Sequence, residues 1–204
     1  MFPKFILSQE VTGIILRVQD GDSFLLLTPD SIYKIRFFGI DCPELNQPYG
    51  EAARDFMAQY NSDTVTIVKR DIDKYGRTVA EVFYKDTSLS FRLINAGLAW
   101  HYKKYSSDTI MSLAESAAMK NGTGLWSDTL RIAPWDWRSG NYNHELFQKN
   151  NETKVFVCVG SESQEYHRLE HCSDLNNCTS TIVLVYPQEA VALYHKAKCS
   201  KCLN

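Results

Sequence analysis

Acidic and arginine side chains recur in three short segments of the first eighty residues. The segments are Asp20-Gly21-Asp22, Arg36 followed by Asp41-Cys42-Pro43-Glu44, and Asp73-Lys74-Tyr75-Gly76-Arg77. Carboxylates are the ligands that a hard cation such as Ca²⁺ prefers, and guanidinium groups can fork onto phosphate oxygens and stabilise charge that develops on them. A further carboxylate can orient or deprotonate an attacking water. These residue types together indicate metal-assisted phosphodiester chemistry.

Each segment alone has an ordinary explanation. DGD is a good hairpin turn, DCPE is a proline-fixed turn, and DKYGR is a charged loop. The combination favours chemistry, because Asp22 and Asp41 supply two metal carboxylates and Glu44 supplies a third acid for the water. Arg36 and Arg77 would then bind an anionic ligand. A calcium-binding or protein-interaction domain that used the same acids would not need these two arginines.

Strands are expected to position the first two segments. GIILRV, SFLLLT and IYKIRFFGI are rich in β-branched, leucine and aromatic residues and are separated by the turn signals DGD and TPDS. Side chains alternate along a strand. In the third run Ile35 and Phe37 therefore share one face, and Arg36 is aimed to the other.

Helical spacing begins after Pro48, and two further strands, VTIVKR and TVAEVFYK, flank the third segment. A second helix over SLSFRLINA stops at Gly97. A third is predicted from Thr109 to Lys120, with Ser107 or Asp108 as its cap. Its predicted buried stripe is Ile110, Leu113, Ala114 and Ala117. The order of elements predicts an α+β fold, a five-stranded OB-fold β-barrel with three helices.

The chain from about residue 10 to 127 resembles the staphylococcal nuclease (thermonuclease) family. The matching stretches are VQDGDSF, KIRFFGIDCPE, DKYGRTVAEVF, INAGLAW and GLWS, in the family's order. The resemblance implies an OB-fold nuclease that hydrolyses DNA and RNA with Ca²⁺ and leaves a 3′-phosphate and a 5′-hydroxyl. A non-catalytic nucleic-acid-binding OB module is the alternative, although such relatives usually lose acids or arginines of the site.

The resemblance assigns roles by position. The metal ligands are Asp22, Asp41 and the backbone carbonyl of Cys42. Glu44 orients the water and is the candidate general base, while Arg36 and Arg77 contact the scissile phosphate. The substrate-binding positions are Lys74 and Tyr75, at the terminal phosphate of a bound nucleotide, and Tyr105, near the nucleotide site. Cys42 replaces the threonine of the best-known member, and the segment around Pro48 is shorter than in that member.

Five of the six cysteines lie after residue 157. His167, Cys172, Cys199 and Cys202 form an ordinary structural zinc set, with the last two cysteines spaced C-x-x-C. The tail resembles a small metal-binding module, YH-x4-C followed by a helix and C-x-x-C, found at the ends of bacterial nuclease chains and in the zinc domain of a DNA-repair protein. The alternative is one or two disulfides. The cysteines and histidines expected to be ordinary residues are Cys158, Cys178, His171 and His195.

The sequence thus predicts a nuclease-like domain at 8–137, a linker at 138–153 and a small α/β zinc-ribbon-like module at 154–204. The net charge of −2 offers no general positive field for nucleic acid. DNA or RNA phosphates must therefore be held by placed cations. No apolar run approaches the roughly 20 residues that span a bilayer. We expect a monomer that is secreted or periplasmic if a signal was removed, and cytoplasmic otherwise.

Overall fold

The structure is a computed structural model that describes residues 10–145, 147, 154–159, 164–168 and 170–202. Contacts divide the chain into two compact units, Met1–Asn121 and Gly122–Asn204. The domain limits predicted from the sequence stay a prediction. Parts of the predicted ranges, 8–9, 146, 148–153, 160–163, 169 and 203–204, lie outside the described residues.

A closed barrel dominates the first unit. Its strands and their short neighbours are β1 (Glu10–Val18), β2 (Ser23–Leu27), β3 (Ile32–Phe37), β4 (Ile40–Asp41), β5 (Thr64–Ile72), β6 (Thr78–Tyr84), β7 (Thr87–Ser88) and β8 (Trp100–His101). The barrel order is β3-β2-β1-β5-β6, and a parallel β3–β6 pairing closes it. The separate ladder β4–β8 pairs Asp41 with Trp100. The five-stranded OB-type barrel predicted from the sequence is confirmed.

Apolar side chains fill the barrel because one face of each strand points inward. The fully buried members include Ile15, Phe24, Leu26, Ile35, Ile67 and Val82. On β3, Ile35 and Phe37 are buried while Arg36 lies on the opposite face, as strand alternation predicted. The core therefore fixes the direction in which Arg36 leaves the barrel.

Three helices complete the first unit: α1 (Gly50–Ala58), α2 (Leu89–Asn95) and α3 (Thr109–Asn121). Asp108 caps α3 by accepting N–H groups of Ile110 and Met111 at 2.7 and 3.1 Å. The predicted buried stripe of α3 is confirmed at Ala114 and wrong elsewhere, since Ile110 and Leu113 are 64% and 70% exposed and Ala117 is also exposed. The buried residues of α3 are Met111, Ala114, Glu115 and Ala118. A buried carboxylate turns this helix away from the stripe that hydrophobicity alone predicts.

The second unit contains a 3₁₀ turn (Gly124–Ser127), α4 (Pro134–Ser139) and a four-stranded sheet of order β11-β9-β10-β12. Its remaining elements are β9 (Val155–Val159), β10 (Glu165–His167), β11 (Thr181–Val185), α5 (Pro187–Ala192) and β12 (Ala197–Lys198). Val155, Val157 and Ala190 form its apolar core. Among the described residues, no helix combines the length and apolar character needed to cross a membrane.

The expectation that Cys158 and Cys178 are ordinary residues is wrong, because they form a disulfide. Cys158 pairs with Ile182 across the β9–β11 ladder, and Cys178 lies just before β11. Spacing along the chain gives no sign of this pairing. His171 and His195 are exposed, as predicted.

Candidate active site

Asp22, Arg36 and Asp41 meet on the outer face of β3. Asp22 lies just before β2, whose Ser23 is the cross-strand partner of Arg36, and Asp41 lies on β4. Arg36 Nη2 donates a 2.6 Å hydrogen bond to Asp41 Oδ1, while its Nη1 lies 2.7 Å from Asp22 Oδ2. That second contact is an ion pair outside hydrogen-bond geometry, so Nη1 is a buried donor without an acceptor among the described residues.

Burial makes it costly to keep the carboxylates of this cluster charged. Asp22 and Asp41 are only 6% and 1% exposed. Burial raises the pKa of Asp22 to about 7, although the positive charge of Arg36 opposes that rise. Burial acts to lower the pKa of Arg36, but the two carboxylates outweigh it, and its pKa is raised. The guanidinium therefore stays charged, and the paired acids favour a cation beside them.

Cys42 packs against the acid cluster through its main chain and its thiol. Its N–H donates to Asp22 Oδ2 at 2.6 Å. Burial raises the pKa of the Cys42 thiol well above its usual value. A Cβ added to Gly21 would lie 2.9 Å from the Cys42 sulfur, so that glycine is needed for close packing. The buried thiol is thus an unreactive packing group beside the acid cluster.

Asp20 belongs to the same cluster, although the sequence-based ligand set omits it. Its Oδ1 accepts the Asp22 N–H at 3.1 Å. Its charge also contributes to the raised pKa values of Asp22 and Cys42. The DGD motif contained the signal, since its two aspartates lie either side of one glycine in the bend before β2.

Glu44 stands at the start of the loop that leads into α1. It is half-buried, and its N–H donates to the Gln47 side-chain oxygen at 3.1 Å. Its carbonyl accepts the Gln47 N–H at 2.8 Å. Cys42, two residues before Glu44, is hydrogen-bonded to Asp22. The backbone of Glu44 is therefore fixed close to the acid cluster.

Arg77, Lys74 and Tyr75 lie on the turn between β5 and β6. Arg77 Nε donates to Asp73 Oδ2 at 2.7 Å. Although burial would raise the pKa of Asp73, hydrogen bonds from the amide and side chain of Arg77 and from the Tyr75 amide lower it. The aromatic ring of Tyr75, 71% exposed, lies under both cations, 4.9 Å from Lys74 Nζ and 5.6 Å from Arg77 Cζ.

The β3–β6 pairing relates this turn to Arg36. Arg36 is opposite Val79, two residues after Arg77. Arg77 lies in the turn just before β6, so the strand pairing brings this turn alongside the end of β3 that carries Arg36. Tyr105 is 60% exposed and packs edge-on against Tyr102 at a ring distance of 4.9 Å. It is a surface aromatic beyond β8, and its place near the nucleotide stays a prediction.

Glu115 is a buried acid that the sequence did not single out. It is 2% exposed, its Oε1 accepts the His101 N–H at 2.9 Å, and its Oε2 lies 2.7 Å from Lys103 Nζ. His101 pairs with Ile40, so α3 is tied through β8 to the strand that carries Asp41. Glu115 therefore helps to hold β4, and with it Asp41, in place.

The four predicted zinc ligands converge in the second unit. The ligand atoms of His167, Cys172, Cys199 and Cys202 all lie within 4.8 Å of one another. Cys172 Sγ is 3.9 Å from Cys199 Sγ, and Cys202 Sγ is 3.9 Å from His167 Nδ1. None of these three cysteines is disulfide-bonded. Burial lowers the pKa of His167 and raises that of Cys199 to about 11.

Comparisons with known proteins agree with this geometry. A sequence model described as "Staphylococcal nuclease homologue" matches residues 34–128. An "Uncharacterized endonuclease" of Escherichia coli is 33% identical over 135 residues, which cover 65% of this chain and 88% of that protein. A "Micrococcal nuclease" of Shigella flexneri is 30% identical over 143 residues, covering 64% and 82% respectively. The range 34–128 contains Arg36, Asp41, Glu44 and Arg77, whereas Asp22 lies before it.

Proposed function

The chain belongs to the staphylococcal nuclease family, and from this membership we propose that it cleaves the phosphodiester backbone of DNA or RNA with the help of Ca²⁺, leaving 3′-phosphate products. The nuclease relatives support hydrolysis of nucleic acid. The single observation that carries the proposal is Arg36 Nη1, a buried donor beside two buried acids that has no hydrogen-bond acceptor in the described part of the chain. Such a donor fits a phosphate oxygen.

The donor set fits calcium. Asp22, just before β2, and Asp41, on β4, are buried carboxylates that both contact the Arg36 guanidinium, and the raised pKa of Asp22 indicates that its charge needs a cation. Oxygen donors of this kind, with the Cys42 carbonyl, suit a hard ion. When bound, Ca²⁺ would supply positive charge that polarises the phosphodiester.

The remaining side chains have separate tasks. Glu44 orients a water and takes its proton. Arg36 and Arg77 bind non-bridging phosphate oxygens and stabilise their extra charge during attack. Lys74 and Tyr75, both exposed on the β5–β6 turn, hold the neighbouring part of the nucleotide. Tyr105 offers a face on which a base can stack.

The test is cleavage of single-stranded DNA and RNA at neutral and alkaline pH, with Ca²⁺ or with a chelator. We expect cleavage only with calcium. Products should accept a 5′-label directly, and a polymerase should extend them only after phosphatase treatment. The Glu44→Gln variant, purified in parallel, controls for contaminating nucleases. Binding without cleavage would support the non-catalytic alternative instead.

For the second unit we propose a structural Zn²⁺ held by His167, Cys172, Cys199 and Cys202. Two thiolates on a tetrahedral zinc, each about 2.3 Å from the ion, lie about 3.8 Å apart. The 3.9 Å between Cys172 Sγ and Cys199 Sγ agrees with that geometry. The disulfide alternative is met by a different pair, Cys158–Cys178, which leaves these thiols available. Metal analysis should find about one zinc per chain.

A further inference from the structure

We propose that Gln47 is a positioning residue that holds Glu44 in its catalytic orientation, an inference that rests on the proposed function. Gln47 is 4% exposed. A buried amide is costly unless it is hydrogen-bonded. Its side-chain oxygen accepts the Glu44 N–H at 3.1 Å, and its own N–H donates to the Glu44 carbonyl at 2.8 Å. Gln47 therefore binds the main chain of Glu44 on both sides.

The rest of the loop leaves little freedom for that arrangement. The Gln47 carbonyl accepts the Gly50 N–H at 3.0 Å. A Cβ added at Gly50 would collide with the Glu44 carbonyl. Tyr49, between them, is 1% exposed and has a left-handed backbone with φ of 69°. Residues 47–50 are all buried. The loop is thus a packed turn that holds the main chain of Glu44.

These hydrogen bonds fix the main chain of Glu44 and so limit where its side chain can point. The Cys42 N–H is hydrogen-bonded to Asp22 at one end of the segment, and Gln47 fixes the main chain of Glu44, two residues after Cys42, at the other. Only the side-chain torsions of Glu44 are left to aim its carboxylate. Loss of the Gln47 acceptor leaves the Glu44 N–H without its bond and lets the backbone turn. A displacement of about 1 Å at a catalytic group can cost roughly 100-fold in rate.

A double-mutant cycle tests the inference. Gln47→Leu keeps the size of the side chain and removes the acceptor, and we expect kcat to fall roughly 10- to 100-fold. KM and Ca²⁺ affinity, measured by titration calorimetry, should stay unchanged. In the Glu44→Gln background the same substitution should have little further effect, because residues that act as a unit are non-additive. Gln47→Glu retains an acceptor and should keep most of kcat.

Gln59→Leu, an exposed glutamine at the end of α1, is the matched control and should behave as the parent. An equal loss in the parent and Glu44→Gln backgrounds, or a parallel loss of Ca²⁺ affinity, overturns the inference and leaves the proposed function intact. If Gln47→Leu does not fold, the cycle is run with Gln47→Ala. Failure of both to fold assigns Gln47 a structural role and overturns the inference. A parent that never cleaves overturns the proposed function itself.

Discussion

Arg36 donates a 2.6 Å hydrogen bond to Asp41 Oδ1, one of the two carboxylates that we assign to the metal. The same guanidinium contacts Asp22 through Nη1 at 2.7 Å. In the proposed function Arg36 thus serves two kinds of anion, the buried acids and the incoming phosphate. Its charge neutralises the acids and also competes with a divalent cation for their oxygens.

Replacing Arg36 with methionine should separate these two tasks. We expect Arg36→Met to lower kcat by roughly 100- to 1,000-fold, because a charge-stabilising donor is lost. Ca²⁺ affinity should stay equal or increase, since a competing cation is removed. Calorimetric titration and single-turnover cleavage measure the two effects. Arg70→Met, which removes an exposed arginine paired with Glu81, should change neither. Loss of calcium binding in Arg36→Met would contradict the competition between these cations.

Glu44→Gln removes the candidate base while keeping the shape of the side chain. We expect kcat to fall by roughly 100- to 10,000-fold with little change in Ca²⁺ affinity, because proton removal and water placement are lost together. Rapid-quench cleavage of a short labelled oligonucleotide measures this. Cleavage at the parental rate would assign the base to another residue.

The sequence predicted the barrel and the acid–arginine cluster because the patterns that indicate them lie within single strands and at their ends. Alternation along β3 was enough to place Arg36 opposite Ile35 and Phe37. The partners that hold these groups were not predictable in the same way. Gln47 and Glu115 act through buried contacts with main-chain groups, and nothing in their spacing marks them. Their roles require the folded chain, which brings α3 to β8.

Cysteine pairing shows the same limit. The spacing of Cys199 and Cys202 indicated a metal set, and the structure brings both to His167. The bonded pair Cys158 and Cys178 has a separation of 20 residues and no local pattern. The β9–β11 ladder brings these two cysteines together, so only the fold reveals the disulfide.

Glu115 should contribute to stability mainly through the His101 N–H. Glu115→Leu leaves that buried donor unpaired, at a cost of about 1 to 3 kcal/mol in the free energy of unfolding. Glu115→Gln keeps an acceptor and should cost less. Lys103→Met removes only the ion pair from its exposed side, and we expect at most about 1 kcal/mol. Urea unfolding of the three variants gives the order. A Lys103→Met effect as large as that of Glu115→Leu would assign the stability to the ion pair.

His101 should make stability depend on pH. Burial lowers its pKa; Glu115 and Asp108 act to raise it, while Lys103 acts to lower it further. Its Nδ1 lies 3.0 Å from the Ser112 hydroxyl. Because the folded pKa lies below the unfolded value, the unfolded chain binds more protons as pH falls below about 6.5.

The contribution of His101 to the free energy of unfolding should therefore decrease as pH falls through that range. His101→Gln should flatten this dependence relative to the parent, whereas His171→Gln, at an exposed histidine, should not. Urea unfolding at steps between pH 8 and pH 5 measures the slopes. Equal slopes in the parent and His101→Gln would mean that His101 does not titrate differently on folding.

Two histidines four residues apart offer a matched test of the zinc proposal. His167 is fully buried, with its Nδ1 3.9 Å from Cys202 Sγ, whereas His171 is exposed. We expect His167→Ala to lose the zinc and His171→Ala to keep about one per chain, as measured by mass spectrometry of metals. Cleavage by His167→Ala should persist, because every residue assigned to phosphate chemistry lies in Met1–Asn121. Full zinc content in His167→Ala would require a different ligand set. Loss of cleavage would instead show that the second unit supports the nuclease site.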